Sequence, residues 1–244
     1  MQGLLGSCLQ QIKNDRRLRA VVAVATLGIL SFFALHTAHV LAGGRFDPGL
    51  VLFNTGLKAR KFSVLADDSY AEMFEYLMLS VIVVTLARLA LTFRRPVYVA
   101  LLIVFAFSLA DNALRIHEDF GAFLTQWSDL APAFGLRAQD FGEIYTWVLF
   151  GVPMVGFLLF ALWRSAGRHR SVGLSLSGWF LVLSFFGVVI DMISSGVRDQ
   201  RIPHLIISFV EDGGEMVVIA VILILTLSIS GYLRAERAAD VGVP

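Results

Sequence analysis

Three carboxylates and two glycines fall within five residues, Glu211, Asp212, Gly213, Gly214 and Glu215, at the head of a long apolar run. A charged side chain inside a membrane-spanning helix costs about 2.5 kcal/mol or more unless it is paired, metal-bound or wetted, so such groups mark sites. Glu75, Asp111, His117, Glu118 and Asp191, together with His36 and His39, occur near the ends of other apolar runs. Histidine with carboxylate suits zinc, manganese or iron, and carboxylate alone suits calcium. A divalent ion held by these ten residues would offset their clustered charge. It would also lower the pKa of a bound water and leave a spare carboxylate as base, which is the chemistry of a hydrolase. No HExxH, CxxC or paired ExxH motif is present to specify the metal.

The spacing within each run is directional, because residues three and four apart share a helix face. His36 and His39 fall on one stripe, Glu72 and Glu75 on a second, and Asp111, Arg115 and Glu118 on a third. Asp191, Ser194, Ser195 and Arg198 form a fourth, and Ser208, Glu211, Asp212 and Glu215 a fifth. Lipid does not solvate such stripes, so they are expected to converge on a water-accessible cavity. Local alternatives exist. Ser69-x-x-Glu72 and Asp140-x-x-Glu143 fit helix-starting boxes. Arg115 has the spacing to neutralise Asp111 and Glu118, while His169 and His204 sit in polar turns and read as surface residues. Gly213 and Gly214 allow either a close helix approach or a local break.

Composition says what must position these groups. The chain has 244 residues, 57% hydrophobic and 16% charged, with a mean hydropathy of +0.75. That balance excludes a soluble domain and predicts an all-α, polytopic membrane helical bundle. Six transmembrane helices are expected, at about 20–42, 69–93, 97–118, 140–164, 172–197 and 204–233, each long enough for a core roughly 30 Å thick. Residues 1–19 form a basic interfacial segment, 20–233 the transmembrane domain and 234–244 a tail. The stretch 119–139 is expected to be a loop, and its Trp127 suits the headgroup region. The one cysteine, Cys8, has no partner for a disulfide.

Placing both termini in the cytoplasm puts eleven Lys/Arg inside and seven outside, the bias expected for a bacterial inner membrane. The acids divide more sharply: Asp15, Glu236 and Asp240 lie inside and the other sixteen in or beyond the outer half. The expected function is therefore an outward-facing acidic and histidine cavity that binds a divalent metal or another cation, with membrane lipid around it. The alternatives are a metal-dependent hydrolase of outer-leaflet lipid and a structural subunit of a larger membrane complex with a membrane-protein partner. No lysine lies in any span, which excludes a retinal Schiff base. No phosphate-binding loop or basic aromatic stripe points to nucleotide or nucleic acid. The inner halves of the spans are almost wholly apolar, which favours a binding or catalytic site over a channel.

Overall fold

A computed structural model of the chain describes residues 2–41, 64–65 and 69–240. The loop holding Arg45, Lys58, Arg60 and Lys61 and the last four residues of the tail lie outside them. The described chain is helical: α1 (Gln2–Asn14), α2 (Arg16–Leu41), α3 (Tyr70–Phe93), α4 (Pro96–Leu114), α5 (Ile116–Trp127) and α6 (Ala138–Trp163) come first. They are followed by α7 (Gly167–Ser184), a π-helical turn (Phe185–Ile190), α8 (Asp191–Gly196) and α9 (Arg201–Asp240). Six helical segments are long and apolar enough to cross a membrane: α2, α3, α4, α6, the continuous run from α7 through α8, and α9. Among the described residues there is no β-strand.

The last helix is the central one. α9 packs against α1, α2, α3, α7, the π turn and α8, and Met216, Ile219, Ile222 and Ile229 along it are fully buried. At 40 residues it is roughly 60 Å long, so it extends beyond a bilayer core at its ends. The other spans show lipid their apolar side chains: Leu27, Leu77, Leu91, Val152, Leu159 and Leu181 are all exposed. Gly213 and Gly214 do not break α9. A Cβ on Gly214 would sit 2.3 Å from a ring carbon of Phe186, and one on Gly213 3.0 Å from Phe33, so both glycines admit aromatic rings against the helix.

Several expected ends differ: the helices of the first, fifth and sixth spans begin earlier, at Arg16, Gly167 and Arg201, and α9 continues to Asp240. The third span stops at Leu114, not Glu118, because Arg115 adopts a left-handed conformation (φ 53°) and a new helix begins at Ile116. The stripe drawn through Asp111, Arg115 and Glu118 therefore crosses a break between two helices. α5 packs antiparallel to α6, where Gly121 and Gly142 let the two backbones nearly touch: a Cβ on Gly142 would lie 2.1 Å from the Gly121 carbonyl oxygen. The turn between α3 and α4 is built as the sequence reads. Arg94 (φ 48°) caps α3 and Pro96 occupies the first turn of α4, where its missing N–H costs nothing.

At the end where α3 meets α4 and α6 meets α7, the bundle is clamped. Arg237 donates to the Thr92 carbonyl at 2.9 Å and lies over the Phe93 ring, Arg168 pairs with Glu236, and the Tyr98 hydroxyl meets His169 Nδ1 at 2.8 Å. His169 is thus a half-buried packing residue rather than a surface one. α1 lies against α2 and α9 with Cys8 buried, and burial pushes the Cys8 thiol pKa up, which leaves it protonated and unreactive.

Candidate functional site

The opposite end of the bundle, where α3 and α6 begin and where α4 and α8 finish, holds a cavity of about 380 Å³. Its wall includes Glu72 and Glu75 from α3, His117 and Glu118 from α5, Glu143 from α6, Asp191 from α8, and Glu211, Asp212 and Glu215 from α9. Seven of the ten residues singled out in the sequence therefore meet in one space. The other three do not line it. Asp111 stands behind His117, and His36 is buried with its ring stacked on Phe209, centroids 5.2 Å apart. His39, one turn further along α2, also lies outside the lining.

Asp111 has a distinct task. It is 0% exposed and accepts two hydrogen bonds from His117, one from the backbone N–H at 2.8 Å and one from ring Nδ1 at 2.9 Å. The first caps the opening turn of α5 from a neighbouring helix, meeting one of the N–H groups a helix start leaves unsatisfied. The second fixes the imidazole and leaves Nε2 for the cavity. Burial draws the His117 pKa down, but the hydrogen bond and charge of Asp111, with the charges of Glu143 and Glu118, outweigh it and the net shift is upward.

α6 starts differently from the expected box. Its cap is Arg137, whose backbone N–H donates to Asp140 at 2.7 Å while its guanidinium grips the same carboxylate. Asp140 thus serves the helix start, and Glu143, 8% exposed, is released to the cavity, where Gln139 donates to it at 2.9 Å. At the start of α3, Ser69 Oγ does accept from the Glu72 N–H at 3.1 Å. The Glu72 carboxylate is not consumed by the cap: it bonds the Tyr76 hydroxyl and also lines the cavity.

Glu75 is the least compensated group. It is 7% exposed, lines the cavity, and has no hydrogen-bond or ion-pair partner among the described residues. Its electrostatic neighbours are Glu215, Asp212 and Glu72, all acids. Glu215 reaches the site because the π turn presents Gly187 to it: a Cβ there would lie 2.4 Å from Glu215 Oε1. Insertions of this kind recur at functional sites. On the far side, Glu211 lies within hydrogen-bonding reach of Asp191 and Ser194. Ser194 continues to Ser208 at 2.8 Å and His204 at 3.2 Å. His204 is accordingly part of a polar network, not a free surface residue.

The wall also carries three guanidiniums, two of them (Arg115 and Arg198) on stripes expected to converge there and one, Arg137, that the sequence reading left outside the site. Arg115 is held by Glu118, Arg137 by Asp140, and Arg198 donates to Ser195 at 2.9 Å. Eight carboxylates against three guanidiniums leave the lining acidic. Among the described residues, no three or more His, Cys, Asp or Glu side chains stand close enough together to hold a metal ion directly. A divalent ion here would be met through water, or by movement of the walls.

Fold and cavity together define a six-span helical membrane protein with a polar chamber at one end. Residues 20–229, which take in all six spans but neither α1 nor the last eleven residues of α9, match the family described as Domain of unknown function (DUF8692), and the chain belongs to that family. Comparison with curated proteins and with solved structures gives no match.

Proposed function

We propose that this protein is a cation-binding membrane protein, set in a bacterial plasma membrane with the cavity toward the outside. The single observation that supports it most is Glu75, a buried carboxylate facing the cavity with no partner among the described residues and with other acids around it. A buried charge of this kind is costly and persists where something positive joins it. The chamber, at about 380 Å³, has the size of a small-molecule site. It accommodates a hydrated divalent ion such as calcium, manganese, iron or zinc, or an organic ammonium. Glu75, Asp191, Glu211, Asp212 and Glu215 supply the field, and His117 Nε2 the one nitrogen donor.

Titration of the detergent-purified protein with calcium, manganese, zinc and ethanolammonium is expected to give saturable binding for at least one of them. Glu75→Gln weakens that binding by about tenfold or more, the value of one charge-assisted contact. The same variant is expected to be about 1 kcal/mol more stable than the parent in the absence of cation, because a neutral amide cannot ionise among the neighbouring acids. No saturable binding of any of the four would refute the reading.

The oriented imidazole of His117 favours a second reading, hydrolysis of a lipid ester or amide, in which water adds across the bond to give an acid and an alcohol or amine. A carboxylate-held histidine is the arrangement of a general base or a metal ligand. Release of fatty acid from a defined lipid panel, abolished by His117→Gln, decides for it; no release decides against.

A further inference from the structure

We infer that the ligand of this cavity is a zwitterion bound with its ammonium inward and its phosphate at the rim, the headgroup of an aminophospholipid. The inference rests on the cation-binding reading and names the class of cation.

The charges in the cavity are sorted by depth. Arg115 and Arg137 have side chains 48% and 53% exposed, and Arg198 is exposed as well, so the guanidiniums form the rim. Glu75 and Glu143 are buried and form the floor. Glu118 and Asp140 balance Arg115 and Arg137, so Arg198 gives the rim its net positive charge, and a bare metal ion is complementary to the floor alone. A molecule with separated charges is complementary to both. Guanidinium offers five donors and binds phosphate well, and Arg198 spends one on Ser195. Tyr76, Trp147 and Phe180 share the wall with the acids, and an ammonium is attracted to such ring faces.

A separate observation points to a lipid source. The helix that brings His117 and Glu118 to the cavity also carries Phe123 and Trp127, 56% and 76% exposed, and the turn after it carries Phe134 at 97%. Exposed aromatics of this kind settle at headgroup depth. The mouth then opens at the level where headgroups lie. In phosphatidylethanolamine the ammonium is terminal and the phosphate lies nearer the acyl chains, so the headgroup enters amine first while the chains stay in the bilayer. Glu75, the buried acid with no partner among the described residues, is where the ammonium ends.

Native mass spectrometry of the full chain in detergent, with phosphatidylethanolamine and phosphatidylglycerol added at equal concentration, tests this directly. Retention of phosphatidylethanolamine over phosphatidylglycerol by about tenfold or more is expected, one charge-assisted contact's worth. Glu75→Gln should erase the preference, and Glu215→Gln provides a second variant should the first fail to fold. Arg198→Gln should weaken retention of phosphatidylethanolamine while leaving the binding of calcium or ethanolammonium intact or tighter. O-phosphoethanolamine is the soluble arm: displacement of the lipid by it, or its binding where lipid is not retained, supports the zwitterion and shows its source to be soluble. Lipid retained against it shows the source to be the bilayer. Equal retention of the two lipids, with no binding of O-phosphoethanolamine, overturns the inference. If calcium or ethanolammonium still binds under those conditions, the cation-binding reading stands without it. If neither binds, both fall.

Discussion

In the Gly142→Ala variant, α5 is expected to lift from α6 and the protein to lose about 3 kcal/mol of stability, the upper part of the range for overpacking. The added Cβ would lie 2.1 Å from the Gly121 carbonyl oxygen, 2.8 Å from its carbon and 2.4 Å from Thr125 Oγ1. Backbone atoms are two of these three, and backbone cannot rotate aside as a side-chain tip can. Thr125 Oγ1 is itself fixed, sharing its hydrogen between the Gly121 carbonyl at 2.8 Å and the Ala138 carbonyl at 3.1 Å. Displacement of α5 carries His117 and Glu118 away from the carboxylates of α6, α8 and α9. The thermal midpoint in detergent and the cation affinity should therefore fall together. An unchanged midpoint would show that the two helices have room the structure does not give them. Gly121→Ala is the companion measurement, since its Cβ meets the Glu143 backbone nitrogen at 2.8 Å.

Removing the Asp111 carboxylate should cost a similar amount by a different route. Asp111→Ala leaves the His117 backbone N–H and ring Nδ1–H without their acceptor in a buried site, and each such orphan costs about 1–3 kcal/mol. The pH dependence separates this from simple cavity formation. The folded His117 has a pKa above the ordinary imidazole value of about 6.5, so the folded state holds the proton more tightly than the unfolded chain. Its stabilising contribution is complete below about pH 6.5 and is lost as pH rises through the raised value. Stability of the parent protein should decline over that interval, and Asp111→Asn should flatten the decline. A slope that survives the substitution would assign the titration to another group.

Six spans were readable because the constraint is severe: a helix that crosses lipid must be long and apolar, and no other composition works. The convergence of Glu75, Asp191, Glu211, Asp212 and Glu215 was readable for the same reason, since acids at one depth on several helices have only each other's company. The break at Arg115 was hidden because left-handed caps are normally announced by glycine. Here an arginine takes that conformation, and the compensation is the Asp111 carboxylate acting across the break on His117, a spacing of six that no helical face contains. The helix start at Asp140 was misassigned because the true cap, Arg137, is not a capping residue type. His36 was drawn into the site by its level in the helix alone. Depth follows from counting residues, whereas rotation about the helix axis, which turns His36 to Phe209, depends on packing partners far away in sequence.

The π turn at Phe185–Ile190 bears on how this chamber is tuned. A π turn is an α-helix with one extra residue accommodated locally, and each α-helical residue advances the chain by about 100° around the axis. Deleting one residue from the turn would leave a regular helix of nearly the same course. Because the turn absorbs its extra residue, Asp191, Ser195 and Arg198 beyond it would keep their places, and the change would fall on the widened turn whose Gly187 makes room for Glu215. A single codon thus separates this chamber from one in an otherwise identical bundle where Glu215 has no gap to enter.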